Sequence, residues 1–190
     1  MDNMLERVMR AAKLDVDFFN KVEADTSLNQ EALLVVVLAA AISAVGTFIS
    51  GLMGGNLGSA LLALIVAVLV GVVNYYIWAY ITHFIGSSLF DATSDPGEML
   101  RVLGYASGPR ALGFFSFIPC LGGLLGLAGS VWALVAGFIG TREALDLDTT
   151  KTLVTVVIGW VVIFIINLVI SSVIGVGAMG LGAGLSLLNR

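Results

Sequence analysis

The sequence predicts an all-α integral membrane protein of five transmembrane helices with an amphipathic helix at its N-terminus. Three observations carry that prediction. Fifty-nine consecutive residues between Glu31 and Asp91 contain no Asp, Glu, Lys or Arg, and shorter charge-free runs follow from Ala111 to Thr141 and from Thr152 to Asn189. A helix rises about 1.5 Å per residue and the hydrocarbon core is about 30 Å thick, so the first run alone holds two spans. The chain is 58 % hydrophobic and 12 % charged, with a mean hydropathy of +1.03, whereas soluble domains are usually about 25 % charged. Finally, Leu33-Leu34-Val35-Val36-Val37-Leu38 does not alternate apolar and polar residues. That excludes barrel strands, the other structure that satisfies its backbone inside lipid.

Residues 1–27 form a polar segment. Leu5, Val8, Met9, Ala12, Val16 and Phe19 recur at helical spacing, and Arg7, Arg10 and Lys13 lie off that stripe. This pattern suits an amphipathic helix at the membrane surface. A break is expected near Leu14-Asp15, where Asp15 can cap a second short helix. The segment lacks the apolar core and small-residue cleavage site of a signal peptide. Ser27 and Gln30 stand at capping-box spacing and open a transmembrane domain of residues 28–190.

The first span covers residues 32–53, and Gly54-Gly55-Asn56-Leu57-Gly58 forms an uncharged turn. The second, residues 59–86, would be about 42 Å long, so it tilts or protrudes. Its later half carries Tyr75, Tyr76, Trp78 and Tyr80, residue types that favour the interface. After the acidic loop from Asp91 to Glu98, residues 99–118 read either as a third span or as a segment lying flat in the interface, because they include Arg101, Gly104, Gly108, Pro109 and Arg110. A break at Pro119 to Gly123 precedes the fourth span, residues 124–140. A polar loop from Thr141 to Lys151 leads to the fifth, residues 152–175.

The charges discriminate between the alternatives. With five spans and a cytoplasmic N-terminus, Arg7, Arg10, Lys13, Lys21, Arg101, Arg142 and Lys151 lie inside, Arg190 outside and Arg110 within the membrane. With four, Arg142 and Lys151 move outside. The excess of Lys and Arg on cytoplasmic loops favours five spans and an exterior C-terminus. A net charge of −4 speaks against a nucleic-acid partner. The single cysteine, Cys120, excludes an internal disulfide.

Candidate functional residues are the polar ones inside spans, which often mark pathways or ligands. Arg110 leads, since Arg at mid-membrane costs about 2.5–3.5 kcal/mol on insertion scales. Its possible partners are carbonyls freed near Pro109, Asn74, Asn167, or a lipid head group reached by snorkelling. Arg101 is a further candidate for a polar pocket or lipid contact. Asn74 and Asn167 also suit bonds between helices. His83 sits near an inner span end, where a solvated surface role suffices. One His and one distant Cys make no metal-site spacing; no metal or cofactor is expected. No His-Glu-x-x-His or Gly-x-Ser-x-Gly occurs, and the chain is expected not to be an enzyme. Small residues at spacing four, such as Gly51 and Gly55, Gly104 and Gly108, or Gly122 and Gly126, favour tight packing and homo-oligomers or assembly with another membrane protein.

The stretch Glu98-Met99-Leu100-Arg101-Val102-Leu103-Gly104-Tyr105-Ala106-Ser107-Gly108-Pro109 resembles the signature of the Yip family, the Ypt/Rab-interacting membrane proteins. Its recurring element is a Gly-Tyr pair followed by a Pro, here Gly104, Tyr105 and Pro109. Gly140-Thr141-Arg142-Glu143-Ala144 and the N-terminal Phe18-Phe19 resemble the prokaryotic branch. The resemblance implies five spans, a cytoplasmic N-terminus, a short exterior C-terminus and residence in a prokaryotic cytoplasmic membrane. For eukaryotic relatives it implies a role in membrane traffic with Rab-type GTPases. That role depends partly on an Asp-Leu-Tyr-Gly-Pro motif which this chain lacks, and a Rab-type partner is doubtful on that ground. The expected function is a membrane-organising or protein-interaction role among membrane lipids, with a small transporter, channel or lipid-handling protein as the alternative.

Overall fold

The computed structural model describes residues 3–55 and 57–188, with the backbone alone for residues 167, 170, 171 and 173–188. Every regular element among them is helical. The N-terminal segment forms two helices, α1 (Met4–Ala12) and α2 (Val16–Ala24), broken where the sequence suggested. Leu14 turns the chain with φ 62°, and Asp15 caps α2 by accepting from the Phe18 amide at 3.1 Å. The capping box expected at Ser27 and Gln30 does not form. Asp25 instead accepts from the Ser27 amide (3.0 Å) and hydroxyl (2.6 Å), and a 3-10 turn (Thr26–Leu28) leads into α3 (Asn29–Met53) without a side-chain cap. A carboxylate placed two residues ahead of Ser27 is the stronger acceptor and holds both donors.

Helices α4 (Leu57–Phe90), α6 (Leu121–Ala144) and α7 (Thr149–Leu188) complete the long elements. Four helical stretches among the described residues are long and apolar enough to cross a membrane: Thr26–Met53, Leu57–Phe90, Leu121–Ala144 and Thr149–Ile166. Residues 99–118, expected as one span, are not a single α-helix. α5 (Pro96–Ala106) is followed by a 3-10 segment (Gly108–Phe117). α5 starts with a complete capping box between Asp95 and Glu98. It stops because Pro109 offers no N–H and its ring crowds the carbonyl four residues earlier, that of Tyr105. Ten residues is long for a 3-10 helix, which rarely exceeds three or four.

Glycines show how this irregular stretch is seated. A Cβ on Gly104 would lie 2.8 Å from Ala32 of α3, and one on Gly46 of α3 would lie 2.0 Å from the Phe114 carbonyl oxygen. On the other side, Gly140, Gly137, Gly129 and Gly122 of α6 close on Val102, Leu103, Pro109 and Phe115 in turn. The α5 and 3-10 stretch therefore runs parallel to α3 and antiparallel to α6, sandwiched between them. α4 runs antiparallel to α3, with Gly51 on Ala60 and Gly71 on Ala40. α7 packs against the later half of α4, with Gly159 beside Thr82. The break before α6 is at Cys120, with φ 65°.

The buried core joins the N-terminal helices to this bundle. Phe18, Phe19, Val22, Ala32, Met99, Val102, Tyr105 and Leu145 form one continuous cluster. α1 lies along the bundle: Trp132 of α6 donates its indole N–H to the Ala12 carbonyl at 2.7 Å, and Val8 rests on Gly108.

Candidate functional site

Two polar assemblies are built into the bundle. The first lies where α1 and α2 meet α3 and α5. Tyr105 is fully buried; its ring stands edge-on to Phe18 at 5.3 Å, and its hydroxyl donates to Glu31 at 2.7 Å. Glu31 also accepts from Arg7, at 2.7 Å from Nε and again from the terminal nitrogen. The result is a clasp of a planar guanidinium, a carboxylate and a phenol, a geometry that favours charge-assisted bonds. The hydrogen bonds it donates to Glu31 and the negative charge of that carboxylate hold Arg7 firmly protonated, raising its pKa.

Arg101 lies one turn earlier on α5 and is 2 % exposed. Its guanidinium donates to the Val22 carbonyl at 3.0 Å, to the Glu23 carbonyl and to Asn29 Oδ1 at 3.0 Å. These carbonyls lie in the last turn of α2, where Val22 also accepts from the Asp25 amide at 3.3 Å, so Arg101 caps that helix. Gly104 and Gly108 face different neighbours, α3 and α1. The motif residues Arg101, Gly104, Tyr105 and Gly108 thus each receive part of the N-terminal segment or α3, and Pro109 ends the helix that carries them.

Glu23, at the C-terminal end of α2, has an unusual surrounding. Its Oε2 is buried without a hydrogen-bond partner among the described residues. Burial, with the charges of Asp146, Glu98 and Glu143, pushes its pKa up to about 7 against the opposing effect of Arg101. Among the described residues, no three His, Cys, Asp or Glu side chains group as a metal site.

The second assembly is a cavity of about 410 Å³ between α4, α5, α6 and α7. Arg110 lines it with Asn74, Trp78, Ser130 and Trp160. Arg110 also lines a smaller cavity of about 170 Å³ against Ala39 and Ser43 of α3. Its neighbours stand near the midpoints of their helices: Asn74 in Leu57–Phe90, Ser130 in Leu121–Ala144. Among the described residues, no acceptor bonds the Arg110 guanidinium. The structure thus brings Arg110 and Asn74 to one cavity and places Arg101 elsewhere. Asn167 lies in α7 with its side chain outside the described residues. His83 approaches the Ser94 hydroxyl, Nδ1 to Oγ 3.2 Å.

Sequence reasoning gave no site role to Glu31, Arg7 or Phe18, nor to the Trp78, Ser130 and Trp160 walls of the cavity. Glu31 had a signal: it is the last charge before the longest charge-free run. The walls had none, because facing residues on four different elements share no spacing.

The family model described as Yip1 domain matches residues 15–171. No curated protein and no solved structure matches the chain.

Proposed function

The chain belongs to the Yip1 domain family, and from that premise we propose that it is a non-enzymatic, multi-pass protein of a prokaryotic cytoplasmic membrane that organises that membrane through lipid and protein contacts. The observation that carries the reading is the position of α1. Val8 rests on Gly108 and Ala12 is held by Trp132, while Leu5 and Met9, one turn apart, are 64 % and 48 % exposed. A helix held against the bundle at that depth, with an apolar edge outward, is an in-plane amphipathic helix that displaces lipid in one leaflet only.

Five crossings support the same arrangement. Val102 to Ala106 advances about 7 Å as α-helix and the ten-residue 3-10 segment about 20 Å more, close to the roughly 30 Å core. Gly140 to Gly122 of α6, which runs alongside, covers about 27 Å. The third crossing is therefore a broken one. The N-terminus, both polar loops and seven Lys or Arg residues fall on the cytoplasmic side, with the C-terminus outside. Partners in this reading are membrane lipids, a second copy of the chain or another membrane protein; neither a Rab-type GTPase nor a nucleic acid is included.

Reconstitution tests it. Adding the protein to vesicles should shift their size distribution, and Leu5→Asp with Met9→Asp should abolish the shift while leaving the thermal midpoint unchanged. A parent protein that leaves vesicles like protein-free controls removes the reading.

The Arg110 cavity favours a second reading, a lipid-handling protein, since intramembrane charge often marks a pathway. Transbilayer movement of a fluorescent phospholipid in proteoliposomes, lost in Arg110→Leu, is the expected result; no movement with the parent chain argues against it.

A further inference from the structure

We propose that the cavity around Arg110 binds the headgroup phosphate of a singly charged anionic phospholipid, which enters sideways from the hydrocarbon. The inference deepens the lipid-handling reading by naming the ligand, and it concerns binding alone. Arg110 and Arg101 occur nine residues apart on the same stretch and differ in burial and in partners: Arg101 is 2 % exposed, whereas Arg110 is exposed in the bundle. Arg101 is surrounded by the Val22 and Glu23 carbonyls and Asn29. Arg110 has, among the described residues, no acceptor for its five N–H donors. A guanidinium is never neutral in a protein, so inside a bilayer it requires an anion or water, and Arg110, two residues past the Gly108 seat of α1, lies toward the headgroup side in the proposed arrangement.

The surroundings select the kind of anion. Leu127, Val131 and Trp160 wall the cavity and remain 63 %, 51 % and 52 % exposed in the bundle. The mouth is therefore apolar and faces the acyl chains. A free inorganic anion has no apolar part to match that wall, whereas a lipid brings its phosphate together with acyl chains that rest against those residues. The volume of about 410 Å³ falls within the roughly 300–1,000 Å³ of small-ligand pockets. One guanidinium fork matches two oxygens of one phosphodiester, and no second cation among the described residues lines the cavity, which favours a single negative charge.

The test uses the full chain purified in mild detergent. Phosphatidylglycerol and phosphatidylcholine are supplied together, and retained lipid is read by native mass spectrometry. The parent should retain phosphatidylglycerol with a preference of roughly tenfold or more, the scale of one charge-assisted pair. Arg110→Leu should erase that preference. Arg110→Lys keeps the charge without the fork, and should reduce the preference even if the Leu variant fails to accumulate. Equal retention of both lipids by the parent, or an unchanged preference in the Lys and Leu variants, overturns the proposal. So does displacement of the lipid by millimolar inorganic phosphate, which would mark a free-anion site. Lipid retained at Arg110 without transbilayer movement supports the site while removing the transport reading.

Discussion

Glu23, at the C-terminal end of α2, carries a poorly stabilised charge. With its pKa pushed up to about 7 from 4.5, the folded state holds this proton more tightly than the unfolded chain does. The group therefore contributes no penalty below about pH 4.5, and its penalty is complete once the pH has risen past about 7. Asp15 and Asp25 behave oppositely, since hydrogen bonds from Arg10 and Ser27 lower their values. Their contribution is lost only as the pH falls below the ordinary aspartate range. Between pH 5 and 8 the thermal midpoint in detergent should therefore fall, on a scale of roughly 2–4 °C per kcal/mol. Glu23→Gln should flatten that slope. An equally steep profile in the variant would show that Glu23 is not the group responsible.

The element that decides the architecture is the stretch from Pro96 to Phe117. Its 3-10 half buries none of its residues fully and is held by close approach, where backbone meets backbone. A Cβ at Gly46 would come 2.0 Å from the Phe114 carbonyl oxygen, and one at Gly129 would come 2.5 Å from that of Pro109. Neither oxygen can rotate away as a side chain can. Gly46→Ala and Gly129→Ala should each destabilise by about 1–3 kcal/mol, read as a lowered unfolding midpoint. Gly123→Ala and Gly126→Ala, where an added Cβ meets nothing within 4 Å, should be neutral or slightly stabilising, since Ala is the better helix former. If all four variants unfold alike, the seat is not what holds this stretch. The glycine spacing in the sequence pointed to tight packing but not to partners: Gly104 and Gly108, four apart, meet different helices because the α-helix ends between them.

At the scale of the whole molecule, the proposed five crossings place the acidic loop around Asp95 and the polar loop around Arg142 on the side of the N-terminus. In intact cells, single cysteines at these positions, in a chain with Cys120→Ser, should resist a membrane-impermeant maleimide until the membrane is opened. A cysteine in the Gly54-Gly55 turn should react at once. Labelling at Arg142 from outside, with none near Asp95, would show four crossings instead.

Membrane residence, helical class and the Yip family were legible in the chain itself. A run of fifty-nine uncharged residues has few places to exist outside lipid, and Gly104, Tyr105 and Pro109 lie close together farther along the chain. The break at Leu14-Asp15 was legible for the same local reason, since capping is set by adjacent residues. Other features depended on tertiary structure. The clasp of Arg7, Glu31 and Tyr105 joins residues up to 98 positions apart. The contrast between Arg101 and Arg110 is set by which helix packs opposite each. An arginine in an apolar stretch looks alike in either case; only the fold determines whether carbonyls or a cavity meet its guanidinium, because that partner comes from elements distant in sequence.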